Sequence, residues 1–556
     1  MAPDAFAPFR LRPGDALAEV EAVAAETGGA PLVVDPSDGL PEGLAARTWA
    51  RVPAGRAAVQ DEACRAADGR VSGVSGFERA CLHSPAHRER VTEAARAAID
   101  TGHAGALLDR PDAVLALGLL GAGFSDSCQR AFLAQLRRDY GEQLEPFDYR
   151  RLAGEALASS SGAVGFEQLH FGRDFWRFRC DSLSDAVYAY TRPVRDLARE
   201  ARRDFRVGAR FDAVGPAQFE ASRFLDAAVF PLRPLAHQTG VGAARLWRAV
   251  MGQRPVAAEL PAAADAETAG RLASVLASSG VEVAFEEAER AAAVSPSRRL
   301  LREQTGRRAG LAFDDPVAEC IVLYSAAADL WTRGTHRAAA EEAGELLSRM
   351  HVQWAAAVPR AALREGTVLV LAQAKALAAA EAAAVRRFLE AGGSVLAFGD
   401  PGQVDETGLA LPPFLPEGRA SGTKVGEGTI VVLPPLVPSP AAGLLVGPTA
   451  PEPVARALDA LRGKGKRAVQ IQSRTPVLAS LWRSPKRLDV HLVSLAAEPV
   501  RGATLFLGDA VAGSARRARF RGASGDDEKF ALNPAGWSVS TVLPTFRGYA
   551  VLSLVP

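Results

Sequence analysis

The feature that most constrains this chain is an alternation. Across the first 285 residues, short apolar runs at 7–11, 31–34, 48–52, 106–109, 205–211, 225–230, 255–259 and 281–285 are separated by Ala-, Arg- and Glu-rich amphipathic stretches. This is the rhythm of strands joined by crossover helices in a parallel sheet. Eight strands is the number that closes a (β/α)8 TIM barrel of about 250 residues. Helices are predicted at 15–27, 84–101, 127–140, 175–203 and 265–279, where apolar residues recur at three- and four-residue spacing with charges opposite. A long insertion after the fourth run, to about residue 172, falls where barrels elaborate an active-site face.

The chain continues well past that unit. Its 556 residues exceed what one core supports, about 250–300 residues. Apolar runs at 319–325, 367–372 and 393–398, with helical patterns at 335–350 and 379–391, predict a doubly wound α/β domain of flavodoxin or amidotransferase type. Past the Pro- and Gly-rich stretch 412–448, short alternating runs at 488–495, 503–507 and 549–554 predict a small C-terminal β-sandwich. The expected architecture is α/β: a barrel over 1–315, a flavodoxin-like domain over 316–445 and a β-sandwich over 446–556.

Charge excludes some partners. Lys+Arg 65 against Asp+Glu 64 leaves a net charge of +1, so no global field would hold the chain on nucleic acid or anionic lipid. The basic stretch 462–487, with Arg462, Arg467, Arg474, Arg483, Arg487 and three lysines, is the local exception, and a solvated linker face is its simpler reading. The start, MAPDAFAPFRLRP, lacks a secretory pattern, and no apolar run reaches the ~18 residues of a membrane span; a cytoplasmic location is expected. Cys64, Cys81, Cys128, Cys180 and Cys320 show no CxxC spacing, which argues against a disulfide scaffold or zinc ribbon.

A closed parallel barrel delivers reactive side chains from the carboxyl ends of its strands. That rule selects Asp109, Arg110 and Asp112 after the fourth run, Arg210 and Asp212 after the fifth, and Glu259 after the seventh. Two carboxyl groups facing each other across a barrel mouth are what glycoside hydrolysis uses, one as proton donor and one as nucleophile or base. Glu259 is the expected nucleophile or base, with Asp109, or else Asp112, as acid. Arg110, Arg210, Asp212, His237 and Trp176 are the expected sugar-binding residues, although Trp176 in the sequence FWRF also reads as a core position. The blander alternative makes Asp109 an ion-pair partner of Arg110.

Two segments carry a family resemblance. Residues 123–141, GFSDSCQRAFLAQLRRDYG, and 175–199, FWRFRCDSLSDAVYAYTRPVRDLAR, resemble the barrel of glycoside hydrolase family 42, the β-galactosidases. The resemblance implies a flavodoxin-like trimerisation domain and a small β domain after the barrel, an oligo- or polysaccharide substrate, a homo-oligomer, and Glu259 as nucleophile. The family's Asn-Glu pair after strand four is absent here, where Asp109, Arg110 and Asp112 stand. A degenerate, non-catalytic carbohydrate-binding or scaffold protein is therefore the alternative. The family's cysteine-rich zinc site is also not legible: Cys128 stands beside Ser125 and Ser127, so no metal and no cofactor is expected. In the doubly wound domain, the turn 371–375 reads LAQAK, without the nucleophile of an amidotransferase.

Overall fold

The structure is a computed structural model that describes residues 9–10, 32–34, 48–74, 77–117, 119–159, 168–234, 238–261, 264–284, 296–297, 299–300, 315–358, 367–414, 422–436, 451–462, 467–484, 487–536 and 538–555. It divides into two compact units, one built on residues 31–231 and one on residues 232–556.

In the first unit, six strands pair in chain order and all in parallel: β1 Phe9–Arg10, β2 Leu32–Val34, β3 Thr48–Val52, β4 Gly105–Asp109, β5 Arg206–Arg210 and β6 Ala227–Pro231. β4 and β6 are buried along their whole length, as expected of a parallel sheet covered on both faces. Glycines on β4 and β5 make room for one ring: a Cβ on Gly105 would meet the Trp49 indole at 2.8 Å, and one on Gly208 at 2.9 Å.

The helices have local causes. Helix α1, Pro85–Asp100, begins with Ser84 accepting the amide of His87 and with proline in its first turn, the favoured start. Helix α2, Asp126–Tyr140, is capped by Ser125 accepting from the Cys128 amide and ends at Gly141 with φ 107°. Helix α3, Tyr149–Ser159, was not anticipated. Helix α4, Gly172–Glu200, buries Phe175, Phe178, Leu183, Val187, Tyr190 and Val194 along one face. Phe175 packs on Phe124, Phe132 and Tyr149 with centroids 4.7–5.2 Å apart, so the insertion carries its own aromatic core.

The second unit opens with helix α5, Val241–Met251, strand β7, Val256–Glu259, helix α6, Ala266–Ser278, and strand β8, Glu282–Ala284, with β7 and β8 parallel. A six-stranded sheet follows. Its strands are β9 Cys320–Leu323, β10 Trp354–Ala357, β11 Val368–Ala372, β12 Ser394–Phe398, β13 Thr423–Val425 and β14 Gly428–Leu433, in the order β10-β9-β11-β12-β14-β13, parallel except for β13. Helices α7, Thr335–Arg349, and α8, Ala379–Glu390, lie among these strands in the chain. The turn after β11 holds Gln373 at φ 50°, and its side-chain amide donates to the carbonyl of Leu436.

α5 and α7 approach closely at Gly242, where a Cβ would fall 2.2 Å from the Glu341 carbonyl oxygen. Glu345 of α7 caps α5, accepting from the amides of Thr239, Gly240 and Gly242 at 2.8–3.2 Å. A buried carboxylate is tolerable at a helix N-terminus because the amides and the dipole there replace water.

The remainder is two antiparallel sheets. One orders Asp315–Pro316, Val477–Ser484, Arg487–Ser494, Tyr549–Val555, Arg517–Gly522 and Asp527–Ala531; the other orders Val469–Gln472, Thr504–Gly508, Ser538–Val542 and Asn533–Ala535. Leu481, Val490, Phe520 and Leu552 of the first share one apolar cluster with Val469, Leu505, Leu507 and Val539 of the second. Among the described residues no helix is long and apolar enough to cross a membrane. The basic stretch is partly spent on structure. Arg462 pairs with Glu319, Arg487 pairs with Asp489 at 3.2 Å, and Arg467 donates to the Met350 carbonyl at 2.8 Å; Lys464, Lys466 and Lys486 lie outside the described residues.

Candidate functional site

At the carboxyl ends of β3, β4 and β5 the sequence delivers a charged network. Arg51 near the end of β3 donates to Asp109 Oδ2 at 2.6 Å, and Arg210 at the end of β5 reaches Asp109 Oδ1 at 3.4 Å. Asp109 is buried, with one guanidinium on each oxygen. Both oxygens therefore face cations that favour the carboxylate form over a proton-donating carboxyl. Arg110 adopts φ 53°, and this left-handed turn swings its side chain to Asp212, with Nε–Oδ1 at 3.1 Å. Its amide donates to the Arg210 carbonyl at 2.7 Å.

Asp112 sits below this layer with no exposed surface. It accepts from the amides of Asp212 and Ala213 at 2.9 and 3.1 Å and from the Gln218 amide side chain at 2.8 Å. Burial pushes its carboxyl up to about 6. Asp112, the alternative proton donor of the sequence reading, is buried and anchors the loop after β5 through these three donors. The pairing expected between Asp109 and Arg110 is also redrawn, because Arg110 goes to Asp212 and Asp109 to Arg51 and Arg210. Arg51 was missed because it lies inside its strand run rather than after it.

The other expected residues are more dispersed. Trp176 lies on α4, partly buried, with the Arg179 guanidinium 5.8 Å from its ring centroid. Glu259 is the last residue of β7, partly buried, and its backbone carbonyl accepts from the Leu232 amide at 2.8 Å. His237 lies outside the described residues.

One grouping overturns a sequence expectation. Cys128 does not stand without partners: Cys64, Cys81 and Cys128 place their sulfurs within 4.8 Å of one another, all buried. Cys81 and Cys128 sulfurs are 3.3 Å apart, and Ser125 Oγ is 2.9 Å from Cys81 Sγ. The Gly123 amide donates to Cys64 Sγ at 3.1 Å. Hydrogen bonds from Cys128 and then Cys64 hold the Cys81 thiol well below its ordinary range. Buried Arg179, donating to the carbonyls of Val114 and Leu119, is near enough to Cys64 and Cys128 for their charge to act on it.

The donor set fits a thiophilic ion. Zinc–sulfur bonds of about 2.3 Å in a tetrahedron set sulfurs roughly 3.8 Å apart, a spacing between the 3.3 Å of Cys81 and Cys128 and the 4.8 Å that bounds the trio. Three thiolates and one divalent ion leave a single negative charge, which Arg179 offsets. Ser125, whose Oγ is 2.9 Å from Cys81 Sγ, would be the fourth ligand. The signal was hidden because the ligands come from three separate segments, two loops at 64 and 81 and the first turn of α2 at 128, with no short spacing among them.

No family model matches the sequence, and no curated relative does. Solved structures do. A β-galactosidase from Bacillus circulans sp. alkalophilus superposes with TM-score 0.69 at 13% identity, over 100% of this chain and 99% of that one. The chain has the fold of a GH42 β-galactosidase. A catalytic mutant of Gan42B, a GH42 β-galactosidase from G. stearothermophilus, gives TM-score 0.67 at 11% identity over 99% and 98% of the two chains. An α-L-fucosidase, isoenzyme 2 from Paenibacillus thiaminolyticus, gives 0.60 at 13% identity over 96% and 89%. The parallel strands of the α/β fold, together with these GH42 structures, fit a TIM-barrel-like domain. At this identity the GH42 likeness carries the fold, and the charged network carries the chemistry.

Proposed function

We propose that this chain is a saccharide-binding protein on a glycosidase fold in which the proton-donor half of the catalytic pair has been given up. The observation that carries the reading is Asp109, held by Arg51 and Arg210 at the end of β4, where the family resemblance calls for an acid. General-acid catalysis needs a carboxyl within hydrogen-bond reach of the leaving oxygen in its protonated form. A carboxylate bracketed by two guanidiniums serves as a strut. Arg110 and Asp212 are the groups proposed to meet sugar hydroxyls in the first unit, Glu259 is the candidate in the second, Trp176 and His237 are the further expected contacts, and the ligand is an oligo- or polysaccharide.

Hydrolysis is the second reading, favoured by Glu259 at the last position of β7, where the resemblance places a nucleophile. One experiment separates the two: binding of galacto- and fuco-oligosaccharides is measured by calorimetry beside release of reducing sugar from the same ligands. Binding without release supports the proposal. Release that disappears in Glu259→Gln overturns it in favour of hydrolysis. The domain bounds 1–315, 316–445 and 446–556, a flavodoxin-like middle domain, a C-terminal sandwich and a trimeric, cytoplasmic assembly belong to the same proposal.

A further inference from the structure

The second unit contains a buried guanidinium with no anionic partner. Arg245 on α5 is 6% exposed, and no carboxylate among the described residues lies within ion-pair distance. Its Nη1 donates to the Trp354 carbonyl and its Nη2 to Ser480 Oγ at 2.7 Å, while Nε is buried without a hydrogen-bond partner. Desolvation alone pulls its pKa down to about 10, the mark of a charge whose burial nothing nearby compensates. A buried unpaired cation costs several kcal/mol, more than the two neutral hydrogen bonds repay.

The guanidinium lies at the wall of a cavity of about 160 Å3, lined also by Arg248, Gln253, Pro316, Trp354 and Trp482. Two cations and no acidic side chain line it. The indole N–H groups are already used, Trp354 donating to Ser348 Oγ at 2.8 Å and Trp482 to the Ser278 carbonyl at 3.0 Å. What the tryptophans offer the cavity is therefore carbon surface. The Arg245 Cζ stands 4.9 Å from the Trp354 ring centroid, which orients the planar fork. The volume is close to the ~150 Å3 of an engineered cavity that holds benzene.

We propose that this cavity is a binding site for a small organic carboxylate with a flat apolar body, its oxygens on the remaining donors of Arg245 and its body against the indoles. The guanidinium fork matches a carboxylate in two-point geometry, and Arg248 adds a second positive charge at the wall. The proposal does not depend on saccharide binding.

The test titrates the full chain with benzoate, following tryptophan emission and the thermal midpoint. Benzyl alcohol is the neutral isostere and inorganic phosphate the compact anion. Expected are a saturable benzoate response at one site per chain, at least ~10-fold weaker affinity for benzyl alcohol, and an approximately 3-fold or larger loss in Arg248→Gln. Arg245→Lys, which keeps the charge and loses the fork, weakens benzoate by about 10-fold or more. Should Arg245→Lys fail to fold, the wild-type ligand series and Arg248→Gln decide alone. No saturable benzoate response, equal response to benzyl alcohol, or tighter binding of phosphate than of benzoate overturns the proposal.

Discussion

Arg210 and Arg245 are both largely buried arginines, and their surroundings differ in one respect. Arg210 shares the Asp109 carboxylate with Arg51, inside a network where Arg110 takes Asp212. Arg245 has only a carbonyl and a hydroxyl. A fully paired cluster has little left to offer a ligand, because breaking it costs more than a new partner returns. An unpaired buried charge carries an electrostatic debt that a ligand can settle. The distinction explains why the most charged place in the first unit reads as a brace, while a less conspicuous wall in the second unit reads as a site.

The cysteine trio extends the comparison to thiols near a buried arginine, Arg179, and the largest effect is expected there. The protein as purified should hold about one zinc per chain by elemental analysis. Stripping it with a strong chelator should lower the thermal midpoint by on the order of 10 °C, since a structural zinc contributes several kcal/mol of folding energy. Cys81→Ser should lose the metal, whereas Cys320→Ala, altering a lone buried cysteine, should keep it. Metal-free protein with an unchanged midpoint would place the trio among ordinary core thiols.

Next in size is Asp109→Ala. If Asp109 is a brace, the change removes the carboxylate that Arg51 and Arg210 share and costs about 1–3 kcal/mol in urea unfolding. A residue kept for catalysis behaves in the opposite way, its removal leaving stability unchanged or raised. A stability gain in Asp109→Ala would therefore break the paired-versus-unpaired distinction where it is most explicit.

An effect of similar size follows from Asp112. Its carboxyl rises from an ordinary value of 3.8 to about 6 in the fold, so between those values the folded state binds more protons than the unfolded. Stability attributable to Asp112 is complete below about pH 4 and is lost as pH rises through 6, amounting to roughly 1–3 kcal/mol. The difference between wild type and Asp112→Asn, measured by urea unfolding at several pH values, should carry that slope. A difference that is flat between pH 4 and 6.5 would mean that the three donors to its oxygens already offset burial.

Strands were the most legible level of this fold. Each of the eight apolar runs of the first 285 residues overlaps a strand, and where a strand is buried on both faces, as β4 and β6 are, continuous apolar sequence is what marks it. Helix α3 and strand β10 escaped: YRRLAGEALAS interrupts its apolar stripe with charges, and WAAA lacks the β-branched residues that mark a strand. At the site, the acidic residues after β4 and β5 were foreseen but their partners were not. Arg51 and Gln218 act from other strands and loops, and the left-handed turn at Arg110, which decides which carboxylate it meets, has no glycine to announce it. The cysteines illustrate the same limit, since spacing rules find ligands from one loop and miss those gathered from three separate segments.

The smallest effect on stability, and the most informative on function, is expected at Glu259. It is partly buried at the end of β7, and its backbone carbonyl already accepts from Leu232, so strand pairing does not depend on the side chain. Glu259→Gln preserves shape and keeps one acceptor oxygen, so it should change unfolding free energy by no more than about 1 kcal/mol. Where the carboxylate receives sugar hydroxyls, the same change should weaken oligosaccharide binding by ~10-fold or more, because a charged acceptor is replaced by a neutral one. A large stability loss with unchanged binding would turn Glu259 into another brace of the Asp109 kind. The two barrel carboxylates would then differ in position alone, and the saccharide site would have to be sought elsewhere on the fold.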